Sequence, residues 1–580
     1  MRYLKRSYIL VGLTLLALQA CKKDNKKDNI PDGGPTTDTG TGTPFTEKPD
    51  DPATANTMGF FLDSWQPKNF SATTGSALAK PAAASSSTVT VDLGKVISKV
   101  SPFMFGNNAN PYMGQLVTEP VLMDHIKTLA PRIIRAPGGS LSDIYFFNLA
   151  EGQSPDDAPA KLMDYQGTVK DAGYWAGKNK GSWTCSIDNY YAMLQQTAST
   201  GILTVNYGYA RYGTSENPVQ AAAHLAAQWV RYDKGKTKYW EVGNENYGNW
   251  EAGYRIDVTK NRDGQPEYLT GSLYGSHFKV FADSMRKAAA DIRSVIKIGA
   301  VLVDAEYNTN PTIIKNWNRQ VLANAGNSPD FFVVHSYYTP YNTNAAPDII
   351  LPTATTESKA IADYIKTSAQ AAGVDQKPIA MTEWNIFSMG SKQKMSNIAG
   401  VHAVLTMAEM HKANFAMAAR WHILGKYDDG NDFATISSGD DPQNSTPWLP
   451  RPVFYYMYYY QKLLGDYYIQ TKVSGDPSIA AYASKYQSGA VALNIVNKGS
   501  KSQTVKVSLN KNNLSRYYYY LLNGEANVPF SRKVFINGVG PTDPSGGPKD
   551  YLMIPARSAQ IKNNIHIVIP PYGVVFLLAD

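Results

Sequence analysis

The sequence predicts a (β/α)8 barrel, an α/β fold, followed by an all-β sandwich, on three observations. Eight short apolar runs alternate with helix-like stretches between residues 101 and 422. Beyond about Leu463 the runs are short, several alternate apolar with polar, and Gly, Asn and Pro stand between them. With 580 residues, 43% hydrophobic and 18% charged, the chain can bury one large domain and one smaller one.

The N-terminus reads as a processing signal over residues 1–21. Arg2, Lys5 and Arg6 precede an apolar stretch, Tyr8 to Leu18, that is too short to span a membrane. Leu18-Gln19-Ala20-Cys21 follows and resembles a bacterial lipobox, which implies lipidation of Cys21, export, and anchoring at the outer membrane on its periplasmic or surface face. The first 27 residues carry seven cationic side chains against one aspartate, so most of the formal charge of +8 sits there. The body of the chain therefore lacks the basic surplus that nucleic acid demands. Cys185 is the one cysteine after Cys21, so no internal disulfide framework exists; it reads as a small buried hydrophobe.

Residues 22–87 read as a flexible tether, rich in Lys, Asp, Gly, Pro, Thr, Ala and Ser, with one apolar island at Phe60, Phe61, Leu62 and Trp65. The barrel is expected over 88–462. Thr88 to Ile97 alternates like a half-exposed strand and is a candidate to join the sandwich instead. The eight barrel strands are expected at Phe103–Gly106, Arg132–Ala136, Leu203–Tyr207, Tyr239–Gly243, Ile296–Val301, Phe331–His335, Ile379–Thr382 and Ala416–His422. Pro218 to Tyr232 opens on a proline and keeps an apolar stripe, and Tyr274 to Ile292 and Glu357 to Ala372 read as helices in the same way. The sandwich, 463–580, has candidate strands at Ala490–Val496, Thr504–Leu509, Tyr517–Leu521 and Val574–Leu578.

Chemistry in such a barrel sits at the C-terminal strand ends. Two glutamates occupy such ends: Glu245 after the fourth strand, in YWEVGNE, and Glu383 on the seventh, in KPIAMTEWN. Two carboxylates on different strands of one rigid sheet are what glycoside hydrolysis requires, one to protonate the leaving oxygen and one to attack or to activate water. Glu383, as nucleophile, needs donors that keep it ionised; Arg135 at the second strand end and Tyr337 beyond the sixth can supply them. His335 shares the direction of Tyr337. Glu245, as general acid, is expected to be protonated at rest, its affinity for the proton raised by apolar surroundings and a nearby carboxylate. Asn244 can bind a sugar hydroxyl beside the reacting carbon. Glu241 points the same way, deeper in the barrel. Trp240, Trp250 and Trp384 fit either sugar platforms or packing. Asp428, Asp429, Asn431 and Asp432 form an acidic loop whose spacing matches no complete calcium loop. This chemistry calls for no metal or organic cofactor.

These segments resemble retaining barrel glycosidases of clan A, most of all the family 51 α-L-arabinofuranosidases. AAQWVRYDKGKTKYWEVGNENYGNWEAG resembles their fourth-strand region, RAPGGS their Arg-x-Pro-Gly-Gly-Asn segment, and MTEWNI their Glu-Trp-Asn motif. GKVISKVSPFMFGNN resembles the run into the first strand, LPRPVFYYMYYYQKLLGD the link out of the barrel, and IPPYGVVFLLAD a closing sandwich strand. The resemblance covers about Thr88 to Asp580. It implies Glu245 as acid/base, Glu383 as nucleophile, Asn244 as substrate ligand, and Arg135 and Tyr337 as partners of the nucleophile. The chain departs from the pattern at Ser140, where the family has Asn, at Ser336, inserted in its His-Tyr-Tyr, and at Asn107, Asn108 and Asn110, where the family shows an acidic sugar ligand. The expectation is an exported, lipid-anchored glycosidase acting on plant or algal polysaccharide or oligosaccharide. The rivals are an endo-acting β-glycanase on the same barrel and a non-catalytic surface glycan-binding lipoprotein.

Overall fold

The computed structural model describes residues 58–68, 75–77, 81, 83–306, 312–341, 343–427, 432–510 and 514–580. The proposed signal with Cys21, and Asp428, Asp429 and Asn431, lie outside them. Eight parallel strands close into a barrel in sequence order: β1 (Gly106–Asn108), β2 (Ile133–Ala136), β3 (Thr200–Val205), β4 (Tyr239–Val242), β5 (Lys297–Val301), β6 (Phe331–Ser336), β7 (Ile379–Trp384) and β8 (Met417–Arg420). Each is followed by a helix: α1 (Pro120–Leu129), α2 (Ile187–Thr197), α3 (Pro218–Asp233), α4 (Gly271–Asp291), α5 (Thr312–Ala325), α6 (Pro347–Ala371), α7 (Asn397–Lys412) and α8 (Pro452–Leu463). The helices start where sequence rules put them. Proline stands in the first turn of α1, α3, α6 and α8, and the Ser186 and Thr270 hydroxyls accept the backbone N–H of Asn189 and Leu273 at the starts of α2 and α4.

The first strand lies later than expected. Pro102–Met104 forms a 3-10 turn, its start capped by the Ser101 hydroxyl, and pairing begins only at Gly106. A side chain at Gly106 would run into the Ala418 carbonyl and Ile133, so the strand can close the barrel there only as glycine. The expected tether is also ordered in part. Met58 and Phe61 are fully buried, and the Phe61 ring packs at 4.9 Å on Tyr239, 5.6 Å from Phe331 and 6.0 Å from Phe103. Tyr239 and Phe331 begin β4 and β6, so the island plugs the N-terminal pole, opposite the C-terminal strand ends.

The C-terminal sheet has eleven strands and is antiparallel over most of its pairs. Ser87–Lys99 runs inside it, antiparallel to Tyr467–Gly475 and parallel to Gln503–Leu509. The sheet rolls over so that Ile565, Ile567 and Ile569, from one end of the strand order, share an apolar core with Tyr517, Tyr519 and Leu521 near the other. Alternate residues point the opposite way: Tyr468, Tyr482, Tyr520, Leu522, Val574 and Phe576 belong to the barrel's core. Helix α7 lies between the layers and is buried along almost its whole length, so apolar residues stand on every side of it. Among the described residues no helix is long and apolar enough to cross a membrane.

Candidate active site

The site is assembled by Arg135, which emerges from the end of β2 with no solvent exposure. Its Nε donates to Glu241 Oε2 at 2.7 Å, its Nη1 to Glu383 Oε1 at 2.7 Å and to Asn108 Oδ1 at 3.1 Å, and its Nη2 to Asn244 Oδ1 at 2.9 Å. One planar guanidinium thereby fixes side chains from β1, β4 and β7. The charges of Glu241 and Glu383 raise its proton affinity despite full burial. Glu241 is held again from β3 by the Thr204 hydroxyl at 3.0 Å, deep in the barrel.

Glu383 receives Arg135 on one oxygen and the Tyr337 hydroxyl on the other, at 2.9 Å. Its aim depends on a bulge. Val334 pairs with Met381 but His335 with Glu383, leaving Thr382 as an extra residue on β7. Thr382 then meets His335 Nε2 at 3.0 Å while Glu383 turns toward Arg135. Tyr337 stays protonated, because burial and the adjacent Glu383 charge push its hydroxyl well above the usual range.

Glu245 is presented by a turn rather than by the strand. β4 ends at Val242; Gly243 has φ +79° and Glu245 itself φ +42°. At Gly243 a Cβ would collide with Asn246 and Tyr207, so only glycine makes this turn. A left-handed glutamate is strained, as is common where geometry serves chemistry. Glu245 Oε1 pairs with His335 Nδ1 at 2.8 Å, and Trp250 Nε1 donates to Oε2 at 3.0 Å. This corrects the expected protonated acid. Burial alone would raise Glu245, but the hydrogen bond and charge of His335, helped by Trp250 and Arg135, hold it below its ordinary 4.5. His335 is raised in turn: burial opposes its charge, and the Glu383 and Glu245 carboxylates win. Both shifts favour a charged His335 beside a charged Glu245.

Ligand atoms of Glu245, His335 and Glu383 all lie within 4.8 Å of one another. This trio is the group of His and carboxylate side chains, among the described residues, with the spacing of a metal site; each member is already engaged by protein donors or acceptors.

Asn244 is clamped at both ends, its Oδ1 by Arg135 and its Nδ2 by Glu251 Oε1 at 2.9 Å. Ser140 donates to the same Glu251 oxygen at 2.8 Å, so the departure at Ser140 is matched by a carboxyl group. Burial, and then the charges of Asp143 and Glu245, push Glu251 well above the usual carboxylate range. Asp143 accepts the backbone N–H groups of Tyr207, Gly208 and Asn244 and the Asn246 amide, yet burial still raises it to about 7. Neither Glu251 nor Asp143 was singled out from sequence. Glu251 lies within the fourth-strand segment and Asp143 three residues beyond RAPGGS, but a carboxylate in a loop carries no sign of its burial. Gly138 and Gly139 have φ of +62° and +70°; a Cβ at Gly139 would strike the Trp421 ring, and one at Gly138 would press on Asn108.

The aromatic candidates separate. Trp250 is 38% exposed beside Glu245, Trp384 is 1% exposed within β7, and Trp240 is buried against Trp229 of the helix layer, away from the site. Cys185 is buried, its thiol pushed up to about 12 by burial, and takes no part. Asp432 of the acidic loop is buried with Lys394 at 3.3 Å.

No protein-family profile matches the chain. Solved structures do. The α-L-arabinofuranosidase of Thermotoga maritima, in complex with arabinose, superposes with a TM-score of 0.60 at 16% identity, over 85% of this chain and 99% of that one. The family 51 α-L-arabinofuranosidase of Bifidobacterium longum gives 0.61 at 16%, over 86% and 100%. A Paenibacillus polymyxa xyloglucanase of glycoside hydrolase family 44 gives 0.54 at 12%, over 86% and 100%. The chain shares with these proteins one architecture, a closed eight-stranded parallel barrel joined to a C-terminal β-sheet domain.

Proposed function

We propose that this chain is a retaining glycoside hydrolase of the α-L-arabinofuranosidase type, acting on plant or algal glycans. The observation that carries the reading is the pair Glu245 and Glu383, with carboxylate oxygens within 4.8 Å across the barrel mouth. Retaining enzymes hold their two carboxyl groups about 5–5.5 Å apart, whereas inverting ones need about 6.5–9.5 Å to admit a water. The donor set on Glu383 supports its role as nucleophile. Glu245 protonates the departing oxygen, drawing on the proton shared with His335, and then activates water to release the sugar. The clamped amide of Asn244 is suited to a sugar hydroxyl next to the reacting carbon. Architecture shared with glycosidases at low identity is consistent with this chemistry. Glu383→Ala is expected to lose turnover by several orders of magnitude on aryl arabinosides, xylosides, galactosides or glucosides while keeping the wild-type circular-dichroism spectrum. NMR of the first-formed product should show the substrate's anomeric configuration. An inverted product, or full activity in the variant, overturns the assignment, and absence of any turnover by the wild type favours a glycan-binding role. The lipobox-like Cys21 supports a further proposal, an exported protein anchored by lipid.

A further inference from the structure

Two runs of aromatic rings lie on segments beyond the barrel strands, and one of them starts at a carboxylate. On one side Tyr337, bonded to Glu383, is 5.3 Å by ring centroid from Phe433; Phe433 is 5.9 Å from Phe387, and Phe387 4.7 Å from Tyr341. Exposure rises outward, from 4% at Phe433 through half-buried Phe387 to 51% at Tyr341. On the other side His422, directly after Trp421, is 6.2 Å from Tyr112; Tyr112 is 6.4 Å from Trp175, and Trp175 5.8 Å from Trp183, which is 38% exposed. Tyr341 stands on the segment after β6, and Trp175 and Trp183 on the segment after β2. In a barrel closed in sequence order these segments are diametrically opposed. The catalytic pair lies between them.

A sugar ring has apolar C–H faces and polar edges, so it stacks on an aromatic face while its hydroxyls stay solvated. A site for one terminal sugar needs rings only at the carboxylates. Rings several steps out, graded toward solvent on both sides, have no part in holding a single sugar. We infer that the two runs wall an extended groove that binds a glycan chain of several sugar units across the catalytic pair, on both sides of the bond to be cut. The inference rests on the hydrolase reading and narrows it away from release of a single terminal sugar: the substrate is a polysaccharide backbone or a long oligosaccharide, cleaved within the chain.

Trp183→Ala and Tyr341→Ala test it, since both side chains are exposed and neither touches the reacting groups. Turnover is measured on aryl monoglycosides and on arabinose-, xylose- and glucose-based oligosaccharides from disaccharide to hexasaccharide. For the wild type, kcat/KM should rise with chain length. Each variant should keep the aryl-glycoside rate within about twofold and lose about tenfold on the hexasaccharide. Indifference to length, or equal losses on both substrates, overturns the groove and leaves the hydrolase reading standing. If nothing is cleaved, the hydrolase reading falls, and the groove is judged by gel retardation on arabinan, arabinoxylan and xyloglucan. Retardation of the wild type that the double variant loses supports it; no retardation of the wild type overturns it.

Discussion

His335 touches both sides of the proposed chemistry: its Nδ1 is 2.8 Å from Glu245 and 3.8 Å from Glu383. Its charge contributes stability in a defined pH window. Glu245, lowered in the fold, stabilises above its ordinary 4.5, and this is lost as pH falls through its lower folded value. His335, raised in the fold, stabilises below its ordinary 6.5, and this is lost as pH rises through its higher folded value. Both terms are present in full between 4.5 and 6.5. His335→Asn should therefore destabilise most within that window, by about 3–5 kcal/mol for a broken buried pair, and progressively less outside it. Denaturation midpoints of both proteins across pH decide this; a constant difference would sink it. The residues named from sequence were legible because motif and strand end coincide. Glu251, Asp143 and Thr382 were not. Their roles arise from a bulge and from loops folded back on the site, neither of which leaves a periodic trace.

Strands two to eight were readable to within three residues at each end, since buried parallel strands are nearly continuous apolar runs. The first was displaced because Phe103 and Met104 are apolar for another reason, burial in a turn. Helix α7 shows what one element contributes to packing. Gly400 lets it approach α8 so closely that a Cβ would enter the Tyr456 ring. Gly400→Ala should cost about 1–3 kcal/mol through overpacking, less about 1 kcal/mol recovered in helix propensity. A denaturant midpoint equal to or above wild type would show that the helices can part without loss.

Across the whole molecule, fold class followed from the change of texture near Leu463, but the layering did not. No sequence pattern announces that the outer face of the sheet completes the barrel's core, because Tyr468 and Phe576 read as ordinary strand aromatics. The apolar plug at Met58 and Phe61 closes the pole away from the carboxylates. Cys21→Ala should move the protein from the membrane pellet to the soluble fraction of its host without changing aryl-glycoside turnover. Retention in the pellet would dismiss the anchor.

The placement of Ser87–Lys99 also governs how the chain can be made. This strand leaves the ribosome before any barrel strand, yet both of its neighbours, Tyr467–Gly475 and Gln503–Leu509, are synthesised after the barrel is complete. For most of translation it is an unpaired apolar edge, the kind of segment that invites association with other chains. Any cell that produces this protein must shield that edge until the last quarter of the polypeptide arrives.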